Sequence, residues 1–257
     1  MYNDIFEKVQ YNENDFFEQI TEEEYDALKE YGDPSDAPSN HYAMQPYVEG
    51  KLLWVSGAPG LGKSTIGLLL SRTAGYVYYE GDTFRQHLNP YIPPDVEEPS
   101  LATVKQIPLK DVPKERIDAV NNGTLDFDRL VKGEEYNIKN VESYYTWLCK
   151  DIKKEKKRIG GNWVVASAVP TRHLRDHIKN ELGNGVIFIV LNMAKEDQMK
   201  RLLSRHGNEE SGLAKVLNNM FDKFEPATEN EDNALDCVIT SGMTREDVIE
   251  KIFKMVQ

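Results

Sequence analysis

Eight consecutive residues constrain this chain more than any others. Gly57-Ala58-Pro59-Gly60-Leu61-Gly62-Lys63-Ser64 fits the pattern G-x-x-x-x-G-K-[ST]. The apolar run Leu52-Leu53-Trp54-Val55 precedes it and reads as a buried strand; Ile66, Leu69 and Leu70 follow it and set a helical stripe. Strand, glycine-rich turn, helix is the order the motif requires. Glycines let the backbone curl so that successive N–H groups point inward at phosphate oxygens. The helix N-terminus adds its dipole and its unsatisfied donors. Lys63 is expected to reach the β- and γ-phosphates of ATP, and the Ser64 hydroxyl to complete a Mg²⁺ shell. Gly57, Ala58, Pro59, Gly60, Leu61, Gly62, Lys63, Ser64 and Thr65 are the expected nucleotide-binding residues.

The remainder of the chain repeats strand and helix. Tyr76-Val77-Tyr78-Tyr79, Trp163-Val164-Val165-Ala166, Val186 to Leu191 and Cys237-Val238-Ile239 are continuous apolar runs of strand length. Such runs alternating with helices predict a doubly wound parallel sheet of about five strands, covered on both faces. Val141, Tyr144, Tyr145, Leu148 and Ile152 mark one helix, and Leu213, Val216, Leu217, Met220, Phe221 and Phe224 a second. A last helix begins near Thr244, where Asp247 completes a variant capping box. Between about 90 and 140 the pattern weakens under prolines at 90, 93, 94, 99, 108 and 113. It reads as an irregular insertion with a short helix around Lys114 to Val120. Cys149 and Cys237 read as buried, reduced thiols.

A second constellation, Glu80-Gly81-Asp82, directly follows the strand Tyr76–Tyr79. In a doubly wound sheet the carboxyl ends of adjacent strands share one crevice, so these carboxylates should face the phosphates. Asp82 is the candidate to orient or deprotonate an acceptor hydroxyl, and Glu80 the candidate to hold Mg²⁺ through a bound water, beside Ser64. The third strand carries no acid between Val164 and Val169, where a second metal-side aspartate is usual, which shifts that work to this pair. Phosphoryl transfer also demands positive charge around the equatorial oxygens. Arg201 and Arg205 lie one helical turn apart and are expected to form an arginine-bearing lid; Arg172 and Arg175, after the third strand, are candidates to bind the acceptor.

These segments resemble the small-molecule kinase branch of P-loop proteins, of the nucleoside monophosphate kinase type, and gluconate kinases in particular. In that family the phosphate loop is followed by a strand ending in an Asp-Gly-Asp-like triplet, here Glu80-Gly81-Asp82. A Cys-Ser-Ala-Leu-like stretch has its counterpart in Ala166-Ser167-Ala168-Val169, and the lid in Arg201-Leu202-Leu203-Ser204-Arg205-His206-Gly207. The helix after the lid ends Met220-Phe221-Asp222-Lys223-Phe224-Glu225-Pro226. The similarity spans roughly Lys51–Arg85 and Asn162–Gln257. Departures fall on acceptor-facing positions: Arg85-Gln86 replaces His-Pro, Pro170-Thr171 replaces a lysine, and Asn208-Glu209 replaces His-Phe. The segment Glu80 to Asn89 is also similar to the Asp-Gly-Asp-x-x-Arg-x-x-Leu-Asn segment of adenylylsulfate kinases, which implies acceptor contacts for Arg85 and Asn89.

The resemblance implies a kinase that moves the γ-phosphate of MgATP to a hydroxyl of a small polar metabolite, a sugar acid or polyol. An adenylylsulfate or nucleotide kinase is the alternative, and a nucleotide-binding switch or scaffold is the rival from another class. Charge and hydropathy narrow the partners. The net charge of −12 resides almost wholly in residues 1–50, with 13 acidic and 2 basic side chains. Residues 1–48 are therefore read as an acidic extension, with a short helix from the capping box at Thr21 to Tyr31 and a possible protein partner, and residues 49–257 as the kinase domain. An acidic leader repels polyanions and argues against nucleic acid. No apolar run approaches the ~20 residues of a membrane span, and the polar, acidic N-terminus fits no targeting signal, so a cytoplasmic protein is expected.

Overall fold

The structure is a computed structural model that describes residues 49–84, 112–206 and 223–256. Its centre is a five-stranded, all-parallel sheet, built from β1 (Glu49–Gly57), β2 (Val77–Glu80), β3 (Gly161–Ala166), β4 (Val186–Met193) and β5 (Ala234–Ile239), in the spatial order β2-β3-β1-β4-β5. The helices are α1 (Lys63–Ala74), α2 (Gly81–Phe84), α3 (Lys114–Lys132), α4 (Ile138–Ile159), α5 (Arg172–Leu182), α6 (Lys195–His206) and α7 (Arg245–Val256).

Strand side chains alternate between two buried faces, which is why the sequence shows apolar runs rather than alternation. Leu52 and Trp54 of β1 join Trp163, Val165 and Phe188 on one face, packed by α3, α4 and α5. Leu53 and Val55 join Val164, Ala166 and Ile189 on the other, packed by α1 and α7. β1 is central, with Leu53 in register with Val164 on one side and Ile187 on the other. The helix after β1 lies on one face and the helix after β3 on the opposite face. Two adjacent strands whose connections diverge in this way leave a crevice at their carboxyl ends.

The helical stripe Val141, Tyr144, Tyr145, Leu148 and Ile152 is buried throughout. Thr244 and Asp247 cap each other's backbone N–H groups, at 3.1 and 2.8 Å, as the variant capping box predicts. Both cysteines are buried and unbridged. Burial lifts both thiols, that of Cys237 to about 11, consistent with reduced, inert side chains.

The expected short helix around Lys114 to Val120 is instead the 19-residue α3. Asn121-Asn122-Gly123 has the composition of a turn but continues the helix. A Cβ on Gly123 would sit 2.4 Å from the Tyr144 Cβ and 2.7 Å from the Asn140 carbonyl oxygen. The glycine lets α3 press against α4, and Asn140 then donates to Asp126 at 2.6 Å. Strand ends also moved: β2 runs to Glu80 and β5 begins at Ala234. The extension with the helix expected from Thr21 to Tyr31, the 90–108 prolines, and the stripe Leu213 to Phe221 lie outside the described residues.

Candidate active site

The phosphate loop connects the end of β1 to the start of α1. Gly57, Gly60 and Gly62 have φ of 140°, 81° and 85°, a region that side-chain-bearing residues rarely adopt. The Gly62 carbonyl accepts the Ile66 N–H at 2.8 Å, starting the helix, and Lys63 donates through Nζ to the Ala58 carbonyl at 3.3 Å, across the loop. Gln198 of α6, only 2 % exposed, donates its amide to the Pro59 carbonyl. The loop's crest is thus fastened to the element that carries Arg201.

Glycine also decides how closely α1 lies on the sheet. A Cβ on Gly67 would meet the Tyr78 ring at 2.4 Å and the Ala166 Cβ at 3.4 Å. Gly67 follows Ser64 by one helical turn, so this close approach lowers Ser64 onto the end of β2. There the Tyr78 hydroxyl donates to Glu80 Oε2 at 2.5 Å, Glu80 Oε1 accepts the Asp82 N–H at 3.3 Å, and the Ser64 side chain lies beside the same carboxylate. Glu80 is 5 % exposed. Burial, and secondarily the Asp82 charge, lift its carboxyl to about 7 against these hydrogen bonds. Burial and the Glu80 carboxylate likewise raise the Tyr78 hydroxyl. Asp82 is exposed at the start of α2.

Opposite lies the loop from β3 to α5, whose carbonyls are taken one by one. Trp54 Nε1 donates to Ser167 O at 3.1 Å, Tyr145 to Ala168 O, Ser56 to Val169 O at 3.2 Å, and the Glu225 N–H to Pro170 O at 2.7 Å. The wall of the crevice is rigid on that side. The buried Ser167 hydroxyl is the polar atom of this wall that has no partner among the described residues.

The structure therefore brings Ser64, Glu80 and Asp82 together, with Lys63 next to Ser64 at the start of α1. It does not bring Arg175 to them. Expected at the acceptor, Arg175 is 1 % exposed and its guanidinium is consumed: Nε and Nη2 donate to Glu231 at 2.7 and 2.8 Å, Nη1 to Glu225 O and Nη2 to Pro226 O. Burial alone would raise the Glu231 carboxyl, but the Arg175 pairing outweighs it and holds it below its ordinary range. Arg175 is a bolt between α5 and the 225–231 loop. Arg172 is half exposed and leans the same way, to Asn230 O at 3.2 Å and towards Asp176 at 3.7 Å. Arg201 is exposed on α6; of Arg205 only the backbone, in the same helix, is described, and Arg85 and Asn89 lie outside the described residues.

Tyr78, Ser167, Gln198 and the clamp of Trp54, Ser56 and Tyr145 were not anticipated. Tyr78 could have been: two residues before Glu80 on one strand, it shares that residue's face. Nothing in the sequence marks Gln198, a polar residue whose burial depends on where the loop folds.

No protein-family model and no curated protein matches the chain. Solved structures do. A sugar kinase from Janibacter sp. HTCC2649, in its unliganded structure, matches with a TM-score of 0.53 and 17 % identity over 80 % of this chain and 94 % of its own. A gluconokinase from Sinorhizobium meliloti 1021 matches at 0.49 and 14 %, covering 83 % and 100 %; the Mycobacterium tuberculosis APS kinase, in complex with AMPPNP and APS, matches at 0.46 and 12 %, covering 81 % and 98 %. The shared fold rests on the first of these. The chain has the expected α/β P-loop fold, and its resemblance to small-molecule kinases holds at the level of fold.

Proposed function

We propose that the chain is an ATP-dependent kinase that transfers the γ-phosphate to a hydroxyl of a small polar acceptor, a sugar acid or polyol by preference. The observation that carries this reading is the meeting of Ser64 with Glu80 directly behind the phosphate loop, with Asp82 exposed beside them. A switch needs the loop; an exposed carboxylate next to it suits chemistry at an acceptor hydroxyl.

Curled N–H groups and Lys63 hold the phosphates. Ser64 and Glu80 offer a hard-oxygen donor set of the kind Mg²⁺ takes, and they are the residues that would hold it; the ion supplies neutralisation of phosphate charge when bound. Asp82 orients the acceptor hydroxyl and accepts its proton as the oxygen attacks. Arg201, with Arg205 one turn on, supplies charge at the transferring phosphoryl group. The acceptor contacts of Arg85, Asn89 and Arg172 belong to the same reading, as does a cytoplasmic protein; among the described residues no helix is long and apolar enough to cross a membrane.

The test is ADP release from MgATP against a panel of sugar acids, polyols, nucleotides and adenylylsulfate. Acceptor-dependent turnover is expected, falling at least about 100-fold in both Lys63→Ala and Asp82→Asn. Tight MgATP binding with no acceptor raising ADP release, or turnover untouched in Asp82→Asn, would sink it.

A further inference from the structure

Two features of the chain remain outside the site: the acidic segment 1–48 and the basic run Lys153 to Arg158. The fold puts their junction in one place. Residue 49 opens β1 at the amino edge of the sheet, the edge opposite the phosphate loop. The last turns of α4 reach the same edge, and Lys156 Nζ donates to Gly50 O at 2.7 Å, fastening α4 to the point where the chain enters the domain.

Around that bond Lys153, Lys154 and Lys157 are exposed, and none forms an ion pair with a described carboxylate. A helix C-terminus favours cations in its final turn, yet Lys153 and Lys154 come before it. The rest of the domain is close to neutral while the leader is strongly acidic. Asp33 and Asp36 lie 16 and 13 residues upstream of Glu49, well within reach of α4 at about 3.3 Å per residue. A segment tethered this close meets the stripe at an effective concentration of order millimolar, so weak individual attractions suffice.

We propose that residues 1–48 dock on the lysine stripe at the end of α4. The phosphate loop stands a full nine-residue strand away, about 30 Å, so the docked leader leaves the crevice open. The inference does not depend on the kinase reading.

The test is zero-length carboxyl-to-amine cross-linking of the full chain, followed by peptide mass spectrometry, at low and high salt. A mixture of isotopically light and heavy protein distinguishes links within a molecule from links between two. Intramolecular links from the carboxylates of residues 1–48 to Lys153, Lys154 or Lys157 are expected at low salt, falling several-fold in high salt as screening shortens the reach of charge. A Lys153→Glu, Lys154→Glu, Lys157→Glu variant should stay folded, unfolding at most about a few degrees below wild type, because these side chains are exposed and Lys157 alone lies in the final turn. Its leader should be cleaved by protease at low salt as fast as the wild-type leader is at high salt, several-fold faster than wild type at low salt. Absence of these links, links chiefly to Lys63, Lys195 or Lys200 on the crevice side, links between molecules, or equal cleavage of wild type and variant would each overturn the proposal.

Discussion

Burial and the Asp82 charge keep Glu80 protonated up to about pH 7, against an ordinary carboxyl value of 4.5 in the unfolded chain. The native state therefore holds more protons than the unfolded state between those values, and linkage makes stability fall as pH rises through the window. Below it both states are protonated and the cost vanishes; above it the cost is complete, roughly 3 kcal/mol for a displacement of this size. Glu80→Gln cannot ionise. In urea unfolding of the nucleotide-free, metal-free protein, its stability relative to wild type should rise by about that amount between pH 5 and pH 8. Parallel pH profiles would show that Glu80 ionises without cost. Lys63, Ser64, Glu80 and Asp82 were legible in the sequence because their motifs fix both residue type and position along a strand or turn. Arg175 was not, because arginine chemistry is the same whether the side chain meets a ligand or, as here, a buried glutamate brought from 56 residues away.

At the scale of elements, the site depends on how closely α1 lies on β2 and β3. Alanine normally favours a helix interior over glycine by about 1 kcal/mol. At Gly67 the sign should reverse, since the new methyl meets a fully buried Tyr78 ring whose hydroxyl is tied to Glu80. Gly67→Ala should lose about 1–3 kcal/mol in chemical unfolding, the usual cost of overpacking. It should also weaken MgATP binding by separating Ser64 from Glu80. A gain in stability would mean that α1 is free to shift. Element type was readable wherever periodicity was long, as in α4. It failed at Asn121-Asn122-Gly123, where local turn composition was outweighed by the close crossing of α3 and α4. Gly67 raised no signal for the same reason: a packing glycine and an incidental one look alike until the partner helix or strand is known.

For the whole molecule, alternating apolar runs were enough to read a parallel sheet covered on both faces, but not its spatial order, since pairing between distant strands leaves no local trace. That order governs when the protein can first hold nucleotide during its synthesis. β1 takes its partners from β3 and β4, both far downstream, and makes no pairing with β2, the next strand to be made. A nascent chain that has passed Ser64 carries the complete phosphate-binding motif without the sheet that shapes it. Long-range parallel pairing is slow to form and exposes apolar strands meanwhile. Ribosome-arrested chains ending at Leu182 should therefore fail to retain a fluorescent ATP analogue, whereas the released full-length chain should bind it. Retention by the shorter chain would show that the loop is shaped without β4. On that expectation ATP stabilises the growing chain only once β4 has joined the sheet.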